Sequence, residues 1–184
     1  MNSSSQLSLS NDGIYVNKDF DSSTRQVQGF YKKSPFPNYE GKEDKSMLTE
    51  LKSRNQYLSY VLKLIGNGKD VIEVGAGTCQ FTNMIASSSN NRVVAFDATY
   101  ESLLLGKKFS DKNDLPNTSF VQGDIANINN IFKEKQFDII ICSGVLHHTS
   151  DPYSNFCKVV KLLKKDGIIV LGLYNKYGRL YSKM

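Results

Sequence analysis

Several features are missing from these 184 residues, and each absence narrows the field. No segment approaches the eighteen or more consecutive apolar residues that a membrane-spanning helix needs. The N-terminus, MNSSSQLSLSNDG, has neither the basic region nor the apolar region of a secretory signal. Together these absences predict a cytoplasmic protein with no membrane partner. Cysteine is sparse: Cys79, Cys142 and Cys157 are odd in number and widely spaced, so no disulfide framework or CxxC metal knuckle can be drawn. They read as three reduced, mostly buried thiols. Histidine occurs only as the adjacent pair His147 and His148, no Asp, Glu or Cys cluster accompanies it, and no metal is expected. No internal repeat of fixed period is present. A phosphate-binding P-loop is missing, because Gly77 is followed by TCQFT with no lysine. A dinucleotide fingerprint is missing too, because Gln80 stands where G-x-G-x-x-G needs its third glycine.

What is present fits one globular domain with a sizeable core: 40% of the residues are hydrophobic and 22% charged. The net charge of +5 resides in residues 151–184, where seven Lys or Arg face two Asp. No aromatic residues alternate with these lysines as a single-strand binding surface would require, so they read as a solvated helix face. Residues 1–26 are rich in Ser, Asn, Asp and Gln, which predicts a disordered arm. Residues 27–68 predict a loop and a helix: GFYKKSPFPNYEGKEDK, punctuated by Pro35 and Pro37, reads as an ordered loop. Residues 46–65 read as one amphipathic helix capped by Ser46 and closed by Gly66–Gly68. From residue 69 short apolar runs alternate with amphipathic stretches. Strands are predicted at 70–74, 92–96, 119–122, 137–142 and 167–173. Helices are predicted at about 79–87, 100–109, 127–134 and 153–165, the last capped by Asp151. Alternation of this kind calls for βαβ crossovers and hence an α/β fold, a doubly wound, mostly parallel sheet. FDIIICSG and GIIVLGL are apolar on both faces, as strands central in the parent sheet should be.

The stretch VIEVGAGTCQF, residues 71–81, is the first strand-to-helix turn of that sheet. In doubly wound folds the ligand lies outside the carboxyl ends of the strands. Gly75 and Gly77 permit a tight turn and close backbone approach, and the next helix offers unpaired N–H groups. Asp97 ends the second strand, VVAFD, 22 residues beyond Gly75, the spacing at which a carboxylate can accept hydrogen bonds from a ribose diol. Asp124, in FVQGDI, ends the third strand on the same rim. Glu73 sits just below the glycine turn, where it can order the loop or meet a positive group. The alternatives are ordinary turn glycines, with Asp97 and Asp124 as helix caps.

In these residues the chain resembles the class I S-adenosylmethionine-dependent methyltransferases. VIEVGAGTCQF looks like the family's first motif, VVAFDAT its second-strand acidic motif and VQGDI its third. FDIIICSGVLHHTSDP and LLKKDGIIVLGLYN look like its fourth and fifth, so the likeness spans about residues 69–175. The resemblance implies the Rossmann-like methyltransferase fold, with S-adenosyl-L-methionine as cofactor. By the same resemblance Gly75 and Gly77 approach the methionine part, Asp97 binds the ribose hydroxyls, and Asp124 with Ile125 recognises adenine. Glu73, Ala76, Ala98 and Ser143 join the cofactor-binding set. Where the family usually carries a third small residue, this chain has Cys79.

The implied reaction is methyl transfer to an oxygen, nitrogen or carbon atom of a small-molecule acceptor. His147 and His148 are candidates for the general base. Tyr31, Tyr174 and Asn175 are candidates for the acceptor pocket, and Tyr31, Phe36 and Tyr39 for an aromatic lid. The alternatives are a nucleic-acid methyltransferase and a cofactor-binding module without turnover. Base N-methylating enzymes carry N/D-P-P-Y/F after the fourth strand; CSGVLHH lacks that element, and no nucleic-acid partner is expected. The family sheet ends in two further strands, for which YNKYGRLYSKM is too short. Five strands are therefore expected, with domain 69–184 incomplete at its C-terminus and the fifth strand an apolar edge.

Overall fold

The computed structural model describes residues 7–33, 35–37 and 44–173. Five strands form its parallel core: β3 (Asp70–Val74), β4 (Arg92–Asp97), β5 (Thr118–Gln122), β6 (Phe137–Ser143) and β7 (Leu163–Gly172). Alternate residues of β3 and β6 point to opposite faces, and both faces are apolar. Val71, Ile139 and Ile141 pack on one side with Met84, Ile85 and Phe109. Ile72, Val74, Ile140 and Cys142 pack on the other with Leu146, Val159 and Leu162. Each such side chain stabilises the fold by about 1.5–3 kcal/mol, and the two strands are apolar on both faces apart from Asp70, Glu73 and Asp138 and the terminal Ser143.

Two short strands extend the sheet: β1 (Ser8–Leu9) and β2 (Tyr15–Val16). The order is β1-β2-β5-β4-β3-β6-β7, parallel throughout except for the antiparallel β1/β2 pair. The chain leaves β3 in both directions, towards β4 on one side and β6 on the other, so the crevice of the doubly wound fold opens above β3. At the opposite end Lys164 Nζ bridges Asp70 and Asp138 at 2.7 and 2.9 Å, tying β3, β6 and β7 together.

The arm expected to be disordered over 1–26 is a structured part of the sheet from residue 8 onward. Apolar density is low there, but Ile14 and Val16 are buried against Leu103 and Phe120, and the Asn17 N–H donates to Gln122 O at 3.0 Å. The loop expected from residue 29 begins instead inside α1 (Ser22–Lys33), whose N-terminus is capped by Asp21 through the Thr24 N–H at 2.6 Å. α1 crosses the rim of the sheet: Gln28 Nε2 donates to Ala98 O at 2.7 Å and Lys32 pairs with Glu101.

The single helix expected over 46–65 is two, α2 (Lys45–Arg54) and α3 (Gln56–Ile65). Asn55 is extended. Its N–H closes α2 onto Leu51 O, and its side chain opens α3 by accepting from the Leu58 N–H, the local competition with the helix ladder that Asn favours. The cap of α2 is Asp44, accepting from the Ser46 and Met47 N–H groups, and not Ser46. Gly66 closes α3 at φ 68° as anticipated.

Beyond β3 come α4 (Gln80–Ser88) and α5 (Tyr100–Lys112), close to expectation. The helix expected at 127–134 is a 3-10 turn at 125–127 followed by α6 (Ile128–Ile131). α7 (Pro152–Val160) has the predicted Asp151 cap but stops early, because residues 163–165 already belong to β7, drawn onto the sheet by the Lys164 ion pairs. Among the described residues β7 pairs only with β6, leaving Ile168 and Leu171 exposed on an edge. Of the three thiols Cys79 and Cys142 are buried, whereas Cys157 is exposed. The strands expected to be missing after the fifth concern residues beyond 173, outside the described set. Among the described residues no helix is long and apolar enough to cross a membrane.

The first turn is also wedged against α5. Cys79, at φ 62° before α4, has its Cβ and sulfur over Gly106, where an added Cβ would lie 2.4 and 2.5 Å from them and 2.8 Å from Thr78 O. Gly106→Ala should therefore destabilise the protein by about 1–3 kcal/mol, although alanine ordinarily favours a helix. Urea unfolding checks the sign.

Candidate functional site

The turn after β3 is built by two close approaches. Gly75, at φ 78°, lies so near the loop following β6 that a Cβ would stand 2.0 Å from Val145 Cγ2. Gly77, at φ 52°, faces the carbonyl of Phe36, which a Cβ would meet at 2.3 Å. Only glycine fits either position. The turn is held from below by Phe96 O, which accepts from the Gly75 and Ala76 N–H groups at 2.7 and 3.1 Å. From outside, the Phe36–Pro37 segment grips it, with Phe36 O accepting from the Thr78 N–H and Pro37 O from the Thr78 hydroxyl.

Three carboxylates surround this turn. Asp97, at the end of β4, accepts from the Gly77 N–H at 2.8 Å with one oxygen and from the Thr99 N–H at 2.7 Å with the other. Burial pushes its carboxyl above the usual range, outweighing those hydrogen bonds. Glu73 accepts from the Thr82 N–H at 2.8 Å and from the Thr82 hydroxyl. Burial pushes it up to about 7 against these bonds, and the negative charge of Asp97 adds to the rise. Asp124 is fully buried, one oxygen capping the 3-10 turn through the Ala126 N–H and the other accepting from the Asp21 N–H at 2.9 Å. The Ser150 hydroxyl reaches Asp21 in turn at 3.0 Å, so Asp124 anchors the start of α1 to the rim.

A cleft of about 610 Å³ lies over these groups. Its lining brings together Glu73, Gly75, Ala76, Gly77, Asp97, Ala98, Asp124, Ile125 and Ser143, all of them candidates from the sequence. Tyr31 from α1 and Phe36 border it as well, where an aromatic cover was anticipated. His148 lines the cleft and His147 does not; their rings lie side by side, tilted by 53° with centroids 4.1 Å apart. Tyr39, Tyr174 and Asn175 lie outside the described residues.

Sequence reasoning missed the wall opposite the carboxylates. Leu51, Tyr57 and Leu58 come from the α2–α3 junction, Phe81 and Met84 from α4, and Thr24 and Val27 from α1. Leu51, Tyr57 and Leu58 fall within the stretch read from the sequence as one amphipathic helix, and α1 within the arm and the loop. The available signal was the Asn55 break, which separates Leu51 and Tyr57 from a continuous helical stripe.

Comparison with known proteins agrees with this architecture. The curated relatives include the uncharacterised methyltransferase YcgJ of Bacillus subtilis, 31% identical over 101 residues, covering 55% of this chain and 39% of that protein. A ubiquinone biosynthesis O-methyltransferase of Glaesserella parasuis is 28% identical over 117 residues, covering 62% of this chain and 49% of that protein. The chain thus spans less than half the length of either relative. Among solved structures, that of Bacillus subtilis YcgJ superposes with a TM-score of 0.56 at 27% identity, covering 62% of this chain and 48% of that one. A putative methyltransferase of Bacillus halodurans gives 0.57 at 26% identity, covering 70% and 57%. A family model described as a methyltransferase domain matches residues 65–184. Since that match takes in well over half of the 184 residues, the chain belongs to the methyltransferase-domain family, with the class I S-adenosylmethionine-dependent fold.

Proposed function

We propose that the cleft binds S-adenosyl-L-methionine and that the chain, alone or as part of a longer protein, transfers its methyl group to a small-molecule acceptor. The observation that carries this reading is the Asp97 carboxylate, half-buried at the end of β4, lining the cleft and hydrogen-bonded to the backbone of the Gly75–Gly77 turn. The residues fit the cofactor. Two positions that reject any Cβ leave bare backbone beside the cleft, and carboxylates border it without a lysine or arginine among the described lining residues. A ligand of net positive charge is favoured in such surroundings.

When bound, S-adenosylmethionine supplies an electrophilic methyl group on a sulfonium. Asp97 keeps its two backbone N–H partners and has lone pairs left for the ribose hydroxyls. Asp124 and Ile125 border the adenine, with Asp124 holding α1 in place across it. Gly75, Ala76 and Gly77 offer backbone to the methionine part, and Ala98 and Ser143 complete the walls. Glu73 becomes fully ionised when a positive charge arrives, which lowers its affinity for a proton. Tyr31 and Phe36 exclude water, so that most of the rate comes from holding two reactants in line. His148 takes the proton released by an acceptor hydroxyl or amine, while His147 packs behind it as a positioning residue. The relatives named as O-methyltransferases support oxygen as the acceptor atom.

Calorimetric titration of S-adenosylmethionine, followed by mass spectrometry of products labelled from its methyl group, tests the reading; absence of binding overturns it. Asp97→Asn should weaken binding of S-adenosylhomocysteine by on the order of 1–3 kcal/mol, the scale of a lost charged hydrogen-bond partner. An unchanged dissociation constant would contradict the ribose assignment. Glu73 yields a pH dependence of known sign. Its carboxyl is about half protonated near pH 7, so arrival of a cation expels a proton. Affinity for S-adenosylmethionine should rise between pH 6 and 8, with proton release visible as a buffer-dependent heat, and Glu73→Gln should flatten both. Once the labelled product is known, His148→Asn should slow transfer about 100-fold or more while cofactor affinity holds.

A further inference from the structure

The walls of the cleft differ in chemistry. Its carboxylates come from β3, the end of β4 and the turn after β5, whereas the α2–α3 junction and α4 contribute apolar side chains: Leu51, Tyr57, Leu58, Phe81 and Met84. Two amides stand among them: Asn55, which already caps α3 by accepting from the Leu58 N–H at 3.1 Å, and Gln80 at the start of α4. Among the described lining residues no side chain carries a fixed positive charge; Glu73, Asp97 and Asp124 are the charged ones. Among the described lining residues a phosphate or carboxylate entering here would meet like charge and no cationic side chain.

The apolar wall also continues out of the cleft. Tyr57 lines it and is 56% exposed. Tyr60 and Leu64, three and seven residues further on, lie on the same side of α3 and are 66% and 40% exposed. This stripe is separate from the face that α3 spends on the core, where Val61 and Ile65 are buried. An exposed apolar stripe that runs on from the lining of a cleft is the kind of patch that marks a binding surface.

We infer that the acceptor is an uncharged amphiphile. On the methyltransferase reading, its neutral reacting group lies beside His148, and its hydrocarbon part leaves the cleft across Tyr57 and follows α3 past Tyr60 to Leu64. The occupant of the stripe is the acceptor's own tail, because the stripe begins at a residue that lines the cleft. Phosphorylated acceptors and nucleic acid are disfavoured by the carboxylates among the described lining residues.

The test uses the whole chain saturated with S-adenosylhomocysteine and a calorimetric series of neutral probes: phenol, 4-ethylphenol, 4-butylphenol and 4-hexylphenol. Affinity should rise about three- to fourfold for each added methylene, the increment for burying a CH₂ group. Phosphoethanolamine and a short RNA should give no measurable competition with 4-hexylphenol. Leu64→Ser, at an exposed position outside the core, should lower the affinity for 4-hexylphenol several-fold, leave phenol unchanged and leave S-adenosylhomocysteine binding intact. Tyr57→Ser should weaken every member of the series. Equal affinity across the series, or displacement of 4-hexylphenol by phosphoethanolamine or RNA, overturns the inference. If S-adenosylhomocysteine fails to bind but the chain-length dependence persists in its absence, the cofactor reading falls and the amphiphile surface stands.

Discussion

The Asp97 carboxylate is the joint on which the site depends. One oxygen holds the Gly77 N–H in the turn after β3, and the other holds the Thr99 N–H before α5. A single side chain thereby sets two strand exits relative to each other. Its burial raises the cost of the charge, and the two backbone donors offset much of that cost. The arrangement is stable only while both turns keep their shape, which gives the Gly75–Gly77 backbone a defined form before any ligand arrives. Preorganisation of this kind removes an ordering penalty that binding would otherwise carry.

Around this joint the protein concentrates negative charge where folding alone would avoid it. Glu73 sits within reach of the Asp97 field, and its proton is held up to about pH 7. A carboxyl raised in this way destabilises the folded chain as pH climbs from the ordinary glutamate range towards 7, since the unfolded chain ionises first. The fold tolerates the strain because Thr82 supplies both an N–H and a hydroxyl to the same oxygen. A cationic ligand relieves it, so the binding energy and the electrostatic cost are two sides of one design.

The cover of the site rests on similarly specific contacts. Asp124 spends one carboxylate oxygen on its own turn and the other on the Asp21 N–H, and Asp21 spends its oxygens on the start of α1 and on Ser150. This chain of hydrogen bonds runs from β5 through the N-terminal segment to the loop after β6. It explains how a stretch with little apolar content is ordered: polar side chains that would favour solvent are held by buried partners instead. The Phe36–Pro37 segment closes the other side through Thr78, so the glycine turn is enclosed from the sheet and from the cover at once.

The amino-acid sequence by itself determined the parallel core and the catalytic rim. Continuous apolar runs such as FDIIICS can be satisfied only between two helical layers, and glycines and carboxylates at strand ends are local signals that need no partner to be recognised. Four of the five core strands and the cap at Asp151 were legible for that reason, and the nine residues singled out on the rim line one cleft. Tertiary structure alone decided the rest. Whether residues 8–33 were ordered turned on pairing with β5 and on Asp124, contacts more than a hundred residues distant in sequence. Whether His147 or His148 faced the cleft turned on the path of one loop, since adjacent residues share composition but not direction. The apolar wall at Leu51, Tyr57 and Leu58 flanks the point where Asn55 ends one helix and begins another, so these side chains follow two helix axes and not one stripe. Periodicity records which residues are apolar; only the packed chain settles whether their neighbour is the core or a ligand.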